Sequence, residues 1–227
     1  MKKLAIVGYG KMGRMIESLA AAYEFGNVVK IDVNDSLAAA AGADVAIEFT
    51  TPEAAPKNLR NLAQMRVPVV CGTTGWFHDL DSIRPVFEAA GTPLVWSPNF
   101  SIGVNIFFRL AEESARLMAK YEDYGAWAWE MHHSAKKDAP SGTLLRAVER
   151  MKQAGYRRPI DVASNRVGAV PGTHEIGFDS AADTITLRHT ARSREGFARG
   201  ALEAARWLVT NPESKAGVHE FSEIVFG

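Results

Sequence analysis

Residues 130–143, EMHHSAKKDAPSGT, gather Glu130, the adjacent pair His132 and His133, Lys136, Lys137 and a closing Asp-Ala-Pro-Ser-Gly-Thr run. Imidazole is the side chain that exchanges a proton near neutral pH. An ammonium close by places positive charge where negative charge develops in a reaction. Leu144, Leu145, Ala147, Val148 and Met151 then recur at helical spacing up to Gly155. Asp138 or Ser141 suits the N-cap of that helix, and Pro140 suits its first turn. The free N–H groups around Ser141, Gly142 and Thr143 form an anion pocket of carboxylate size. Upstream, residues 126–131 alternate as a strand does, so His132 shares a face with Glu130 and Ala128, and His133 with Met131 and Trp129. The two histidines therefore have different jobs. Lys136 follows His132 across a loop that can fold it back. The plainer alternative is a capping loop with solvated His and Lys. Adjacent histidines are not the usual zinc pattern and the single cysteine, Cys71, is distant, so no metal is expected. Ser141 is not in a G-x-S-x-G elbow and is not read as a hydrolytic nucleophile.

A second constellation is Gly8-Tyr9-Gly10-Lys11-Met12-Gly13. Alone, a G-x-G-x-x-G is weak. Here it follows a short apolar strand and opens a helix, the context in which glycines turn tightly and bring backbone N–H groups onto a pyrophosphate. Asp32, at the end of the second strand, is placed to bond the adenosine ribose hydroxyls. The alternative is a glycine turn with a solvated aspartate. The acid favours NADH because it repels a 2′-phosphate, while Lys11 keeps NADPH open. Gly72, Thr73 and Thr74 follow the fourth strand, and Ser97, Pro98, Asn99 and Phe100 follow the fifth. Ligands of open α/β sheets bind at such strand ends, so both loops flank the nicotinamide half, unless each is an ordinary turn.

Periodicity supplies the elements that hold these groups. Strands over 4–7, 27–33, 43–50, 67–71 and 93–96 alternate with helices after the glycine loop, over 52–63 and over 79–90. That order predicts a parallel sheet covered on both faces. The pattern changes near residue 100: a long helix over 104–121, the strand 126–131, the helix 144–153, a hairpin of 173–178 and 184–190, a helix over 197–209 and a short tail element over 220–226. The reading is a Rossmann-type α/β parallel-sheet domain over 1–99 and an α+β domain over 100–194, with residues 195–227 returning to the first. The chain has 227 residues, 47% of them apolar, and equal numbers (26 each) of basic and acidic residues. Such a balance gives no general attraction to nucleic acid or an anionic membrane. One cysteine forms no intrachain disulfide, no apolar run approaches the ~18 residues of a span, and glycines interrupt the N-terminal apolar run, so a cytoplasmic protein is expected.

The pattern E-x-H-H-x-x-K-x-D-A-P-S-G-T resembles the signature of the 4-hydroxy-tetrahydrodipicolinate reductase (dihydrodipicolinate reductase) family. CGTTGW (71–76), SPNFSIGVN (97–105) and HTARSREGFARGAL (189–202) are similar to further family segments, in family order. The resemblance implies NADH- or NADPH-dependent reduction of 4-hydroxy-tetrahydrodipicolinate in lysine and diaminopimelate biosynthesis. It implies a cofactor domain and an α+β domain that binds this dicarboxylate and builds a homotetramer. It makes His132 the catalytic acid/base and Lys136 its proton-donating partner. His133, Ser141, Gly142 and Thr143 would hold substrate, with Arg194 serving the far carboxylate. Gly8 to Gly13, Asp32, Gly72 to Thr74 and Ser97 to Phe100 would contact the cofactor. Two features depart from many members. The first loop lacks one residue of a G-x-x-G-x-x-G, and the stretch over 34–43 is short. Rival readings are a related nicotinamide-dependent dehydrogenase of amino or imino acids and a non-catalytic dinucleotide sensor.

Overall fold

Leu4, Ala5, Ile6 and Val7 are all buried, and a strand apolar on both faces needs cover on both sides. In the computed structural model, which describes residues 1–210 and 216–227, that cover is complete. The strands are β1 (Lys2–Val7), β2 (Phe25–Ile31), β3 (Val45–Glu48), β4 (Val69–Cys71), β5 (Pro93–Trp96) and β10 (Gly217–Glu220). They form one sheet in the order β10-β5-β4-β3-β1-β2, parallel throughout. On one face lie α1 (Lys11–Ala20), α6 (Glu195–Val209) and α7 (Phe221–Phe226), which bury Ile16, Leu202, Leu208 and Phe221 against Leu4, Ile6 and Ile47. On the other, α2 (Ala55–Gln64) and α3 (Leu80–Ala90) bury Leu59, Leu62, Ile83 and Phe87 against Ala5, Val7 and Val69. β1 has β2 on one side and β3 on the other, so the winding reverses beside it. Such a reversal opens a crevice at the carboxyl ends of the strands, where ligands of these sheets bind.

Met1–Ser101 and Glu195–Gly227 make up this first compact unit, and Ile102–Arg194 make up the second. The second holds α4 (Ile102–Met118), β6 (Gly125–His132), α5 (Gly142–Gln153), β7 (Ile160–Arg166), β8 (Thr173–Asp179) and β9 (Thr184–Thr190). Its sheet runs β7-β6-β8-β9. β6 and β7 are parallel, joined through α5, and the other pairs are antiparallel. Burial along β6 alternates residue by residue, as a sheet with one covered face requires. Ala126 and Ala128 are small enough for α4 and α5 to lie close, and Phe108, Ala111, Leu144, Ala147 and Met151 pack there with Ile176 and Phe178. Glu130 and His132 continue that covered face.

Periodicity misses two strands. β7, IDVASNR, alternates half-buried with exposed residues on a sheet edge and is too polar to stand out. β10, GVHE, is a four-residue edge strand that adds a sixth member where five were expected. Other ends shift by a turn. β2 stops at Ile31, which leaves Asp32 just beyond it, and α2 begins at Ala55 rather than Pro52. Among the described residues, no helix is long and apolar enough to cross a membrane.

Candidate active site

The glycines of the first loop have separate tasks. Gly8 has φ +95°, and a Cβ there would run into the Phe49 carbonyl oxygen. A Cβ at Gly13 would strike the Gly8 carbonyl, so its absence lets α1 approach the turn. Gly10 is the N-cap of α1, a Cβ there would meet open space, and among the described residues no side chain caps that terminus. A bare helix start with its N–H groups open fits a bound pyrophosphate. Lys11 is exposed beside it, and Met12 packs partly into the core. The Tyr9 hydroxyl donates to Glu17, which also binds Lys30 at 3.0 Å. Asp32 is exposed; its Oδ1 accepts from Val33 N at 2.9 Å and its own N–H donates to Asp35 at 2.8 Å.

The loops at the far strand ends are tied down by a buried carboxylate. Glu48 Oε2 accepts from the Thr73 hydroxyl at 2.7 Å and from Cys71 Sγ at 3.2 Å. Its Oε1 accepts from the Thr50 hydroxyl and from Asn58 Nδ2 at 3.4 Å. Thr73 Oγ1 in turn accepts from Thr50 N at 2.7 Å. A Cβ at Gly72 would occupy the Phe49 ring, while Thr74 is exposed. Ser97 Oγ donates to the Asn99 carbonyl at 2.8 Å and accepts from Asn99 N at 3.1 Å, Pro98 is half-buried, and Phe100 packs on Phe221 with ring centroids 4.8 Å apart.

The second unit places its proton carriers at the end of β6. Glu130 is wholly inaccessible, and His132, Ser141 and His174 are buried around it. Glu130 Oε1 accepts from Ser141 N at 2.8 Å, from the Ser164 hydroxyl at 3.1 Å and from Arg166 at 2.8 Å. Oε2 lies 3.2 Å from His132 Nδ1 and 3.6 Å from His174 Nε2. The two imidazoles meet edge to face with centroids 5.0 Å apart. Burial alone would raise the Glu130 pKa, but hydrogen bonds from Ser141 and Arg166 outweigh it and hold the carboxyl below its usual range. Burial pushes His132 below its ordinary value; Lys136 and Arg166 add to that, and Glu130 opposes it. His174 is pushed down to about 4 by burial and by His132. Ligand atoms of Glu130, His132 and His174 lie close enough to gather round a cation. Arg166, however, already supplies the positive charge on this carboxylate, and the arrangement reads as a hydrogen-bond network.

Both halves of the chain match known families along their length. Residues 2–100 match the model of "Dihydrodipicolinate reductase, N-terminus" and residues 103–225 that of "Dihydrodipicolinate reductase, C-terminus". The chain belongs to the dihydrodipicolinate reductase family. It is 35% identical to the 4-hydroxy-tetrahydrodipicolinate reductase of Christiangramia forsetii, over 98% of this chain and 97% of that one. With the enzyme of the same name from Bdellovibrio bacteriovorus identity is 32%, over 100% and 98% of the two chains. A solved dipicolinate-bound dihydrodipicolinate reductase from Paenisporosarcina sp. TG-14 has the same fold, with TM-score 0.78 over 99% of both chains at 23% identity. Members are nicotinamide-dependent reductases with an N-terminal dinucleotide-binding domain, which agrees with the open start of α1.

Within this reductase, several sequence-predicted groups stand differently from the simplest reading. Lys136 Nζ is bound to Asp138, at 2.8 and 3.0 Å, rather than to His132. That contact, ahead of any burial effect, lowers the Asp138 pKa. Ser141 is the N-cap of α5; its Oγ accepts from Leu144 N at 3.2 Å and lies 3.3 Å from His174 Nε2. The Ser141 N–H is given to Glu130, and a backbone hydrogen bond from Gly142 reaches the Asp138 carboxylate. Gly142 is exposed and Thr143 half-buried. His133 is half-buried and Arg194 exposed. Sequence reading missed Ser164, Arg166 and His174 as parts of the network. Arg166 and Ser164 lie on the unrecognised strand β7. His174 opens the predicted hairpin, where a histidine pointing to the apolar face was the available signal.

Proposed function

We propose that this chain reduces 4-hydroxy-tetrahydrodipicolinate to tetrahydrodipicolinate, the reaction of its named relatives in lysine and diaminopimelate biosynthesis, and that His132 is its catalytic acid/base. The observation that carries the residue assignment is a buried imidazole with its Nδ1 against a glutamate, beside a helix start able to hold a carboxylate. NADH or NADPH, when bound, supplies a hydride. Gly8 to Gly13 receive the pyrophosphate at the start of α1, and the loops of Gly72 to Thr74 and Ser97 to Phe100 border the nicotinamide end. The exposed Asp32 carboxylate bonds the ribose hydroxyls and repels a 2′-phosphate, which favours NADH.

The chain's remaining task is to hold a ring dicarboxylate and deliver one proton. Gly142, released from the Asp138 carboxylate it now meets, and Thr143 offer backbone N–H groups, and the Thr143 hydroxyl one more donor, to one substrate carboxylate; Ser141 keeps the start of α5 in place. His133 and Arg194 serve the rest of the substrate. Lys136 exchanges Asp138 for the substrate and sets positive charge beside the reacting carbons. The 4-hydroxyl leaves as water with a proton from the neighbouring ring carbon; hydride then adds to one carbon of the double bond so formed, and His132 gives its proton to the carbon next to it and recovers one from solvent. A dicarboxylate substrate accords with the relative solved with dipicolinate. The chain assembles as a homotetramer: the outer face of the second sheet carries a groove of about 490 Å³ lined by Trp127, Trp129, Asp161, Glu175 and Arg188, two indole rings among charged side chains that a second copy of the chain can cover.

Substrate-dependent oxidation of NADH by the pure protein is the deciding assay. Activity with this substrate and none with amino or imino acids separates the reductase from a related dehydrogenase, and no turnover at all leaves only a dinucleotide sensor. Calorimetry with pyridine-2,6-dicarboxylate on the NADH complex tests the anion pocket. Thr143→Val should weaken binding by ~1.5–3 kcal/mol, the size of a hydrogen bond to a charged group. Wild-type affinity in that variant would detach the start of α5 from substrate. Sedimentation of the pure chain reads the assembly.

A further inference from the structure

Among the described residues, a specific set of buried atoms in the second unit has no hydrogen-bond partner: Glu130 Oε2, His132 Nδ1, Arg166 Nε, His174 Nδ1 and His189 Nδ1. Buried polar groups are otherwise almost always satisfied, and those that are not call for an explanation. Two of these atoms complement each other. Glu130 Oε2 is an acceptor and His132 Nδ1 can be a donor, and they lie 3.2 Å apart without an aligned hydrogen bond. A small rotation of the ring completes the bond, and such contacts commonly tighten only when a site is occupied.

We propose that Glu130 is the positioning residue of this centre, holding the His132 ring by Nδ1 so that Nε2 is the nitrogen that carries the transferred proton. The inference rests on the reading of His132 as the acid/base. Three fixed donors make the carboxylate a rigid anchor: Ser141 N from α5, and Ser164 Oγ and Arg166 from β7, all on Oε1. Oε2 is thereby aimed at the histidines. Arg166 also donates to the Asp138 carbonyl and so fixes the loop that carries Lys136. The other side of the ring is shaped by Gly172, where a Cβ would lie 2.9 Å from His132 Nε2. A side chain at position 172 would crowd Nε2, the nitrogen assigned to the proton, and displace the ring.

The charges facing His132 come from every element around it: Glu130 on its own strand, Lys136 and Asp138 on the following loop, Arg166 on β7 and His174 on β8. Burial, Lys136 and Arg166 disfavour the imidazolium; Glu130 and Asp138 favour it. His174, with its pKa near 4, stays neutral at working pH and adds no positive charge beside the carboxylate. Glu130 therefore keeps a buried histidine protonatable. After donating from Nε2, His132 is left as the neutral Nδ1–H tautomer, bonded to Oε2, and a proton from solvent restores the starting state.

Nitrogen NMR of ¹⁵N-histidine-labelled protein tests this directly. In the wild type at alkaline pH, neutral His132 should be the Nδ1–H tautomer; an Nε2–H tautomer would overturn the proposal without any variant. In Glu130→Gln, the His132 titration should fall by about one pH unit or more, and the alkaline fall of kcat/KM should move down with it. Glu130→Asp should lie between. NADH affinity and the circular dichroism spectrum should stay as in wild type, which certifies the fold. A folded Glu130→Gln with both the titration and the kcat/KM profile unmoved would overturn the proposal. A titration that moves while the profile stays would overturn the assignment of His132 as acid/base and leave the Glu130 contact standing.

Discussion

Each unit of the chain buries a glutamate completely, and the two carboxylates are treated in opposite ways. Around Glu48 both oxygens are met, by the hydroxyls of Thr50 and Thr73, the Cys71 thiol and the Asn58 amide, all neutral donors. Around Glu130 one oxygen takes three donors, one of them a guanidinium, and the other faces two imidazoles without an aligned bond. A satisfied carboxylate fixes geometry: Glu48 ties the ends of β3 and β4 to α2 and so shapes the loops of Thr50 and Thr73. A half-satisfied one keeps interaction in reserve for a neighbour that changes charge. Burial alone marks neither role; the inventory of donors does.

The contrast predicts effects of different kinds. The largest falls on chemistry in the second unit. His132→Gln should lower kcat by ~10²-fold or more, the usual size for a lost general acid, with NADH affinity unchanged. An unchanged kcat would remove His132 from the mechanism and with it the asymmetry between the two glutamates.

Next is acid stability. His174 has a pKa of about 4 in the folded chain against an ordinary 6.5. In the unfolded chain it takes a proton first, so acid favours unfolding. The stability conferred by neutral His174 is complete above about pH 6.5 and is lost as the pH falls toward 4, about 3 kcal/mol in all. Urea melts at stepped pH should show this loss in wild type and a shallower one in His174→Gln. Parallel slopes would mean that the imidazole gains its proton without cost.

Smaller again, Glu48→Gln turns an acceptor into a donor facing the Thr73 hydroxyl and should cost ~1–3 kcal/mol, the penalty for a buried unsatisfied group. NADH affinity should weaken in parallel while the pH profile of kcat/KM stays in place. A moved profile would end the division between a structural and a positioning glutamate. The smallest effect is expected from Asp32→Ala. It removes a ribose bond worth roughly 1 kcal/mol and a repulsive charge together, so Kd rises for NADH and not for NADPH. Equal changes for both cofactors would displace the adenosine site.

What the sequence disclosed follows from range. The glycine loop, the start of α5 at Ser141 and the shared face of Glu130 and His132 depend on residues a few positions apart, where capping and a two-residue period decide. Ser164, Arg166 and His174 join Glu130 only through strand pairing, which no local rule contains. β7 hid because Ser164 and Arg166 face the site where a core strand would carry apolar residues, while Asp161 and Asn165 face outward. Lys136 shows the same limit at short range: its spacing allowed either His132 or Asp138, and the loop chose Asp138.

The pairing that builds the network also has a bearing on how the second sheet aligns. Ser164, Glu130, His174 and His189 are direct partners across β7, β6, β8 and β9, a single polar row crossing all four strands. Elsewhere the helix-covered face is largely alanine, isoleucine, valine and phenylalanine, for which sliding by two residues changes little in chemistry. At this row it changes a great deal. Moving β8 by two residues would set Ile176 or Gly172 beside Glu130 in place of His174, and moving β7 would put Val162 or Arg166 where Ser164 stands. A carboxylate buried beside the wrong strand and stripped of its partners costs roughly 3–5 kcal/mol. The row thus acts as a key that admits one alignment of an otherwise slippery apolar surface. A chain with this row made apolar could keep its helices and its core and still lose the single registration on which every distance in the site depends.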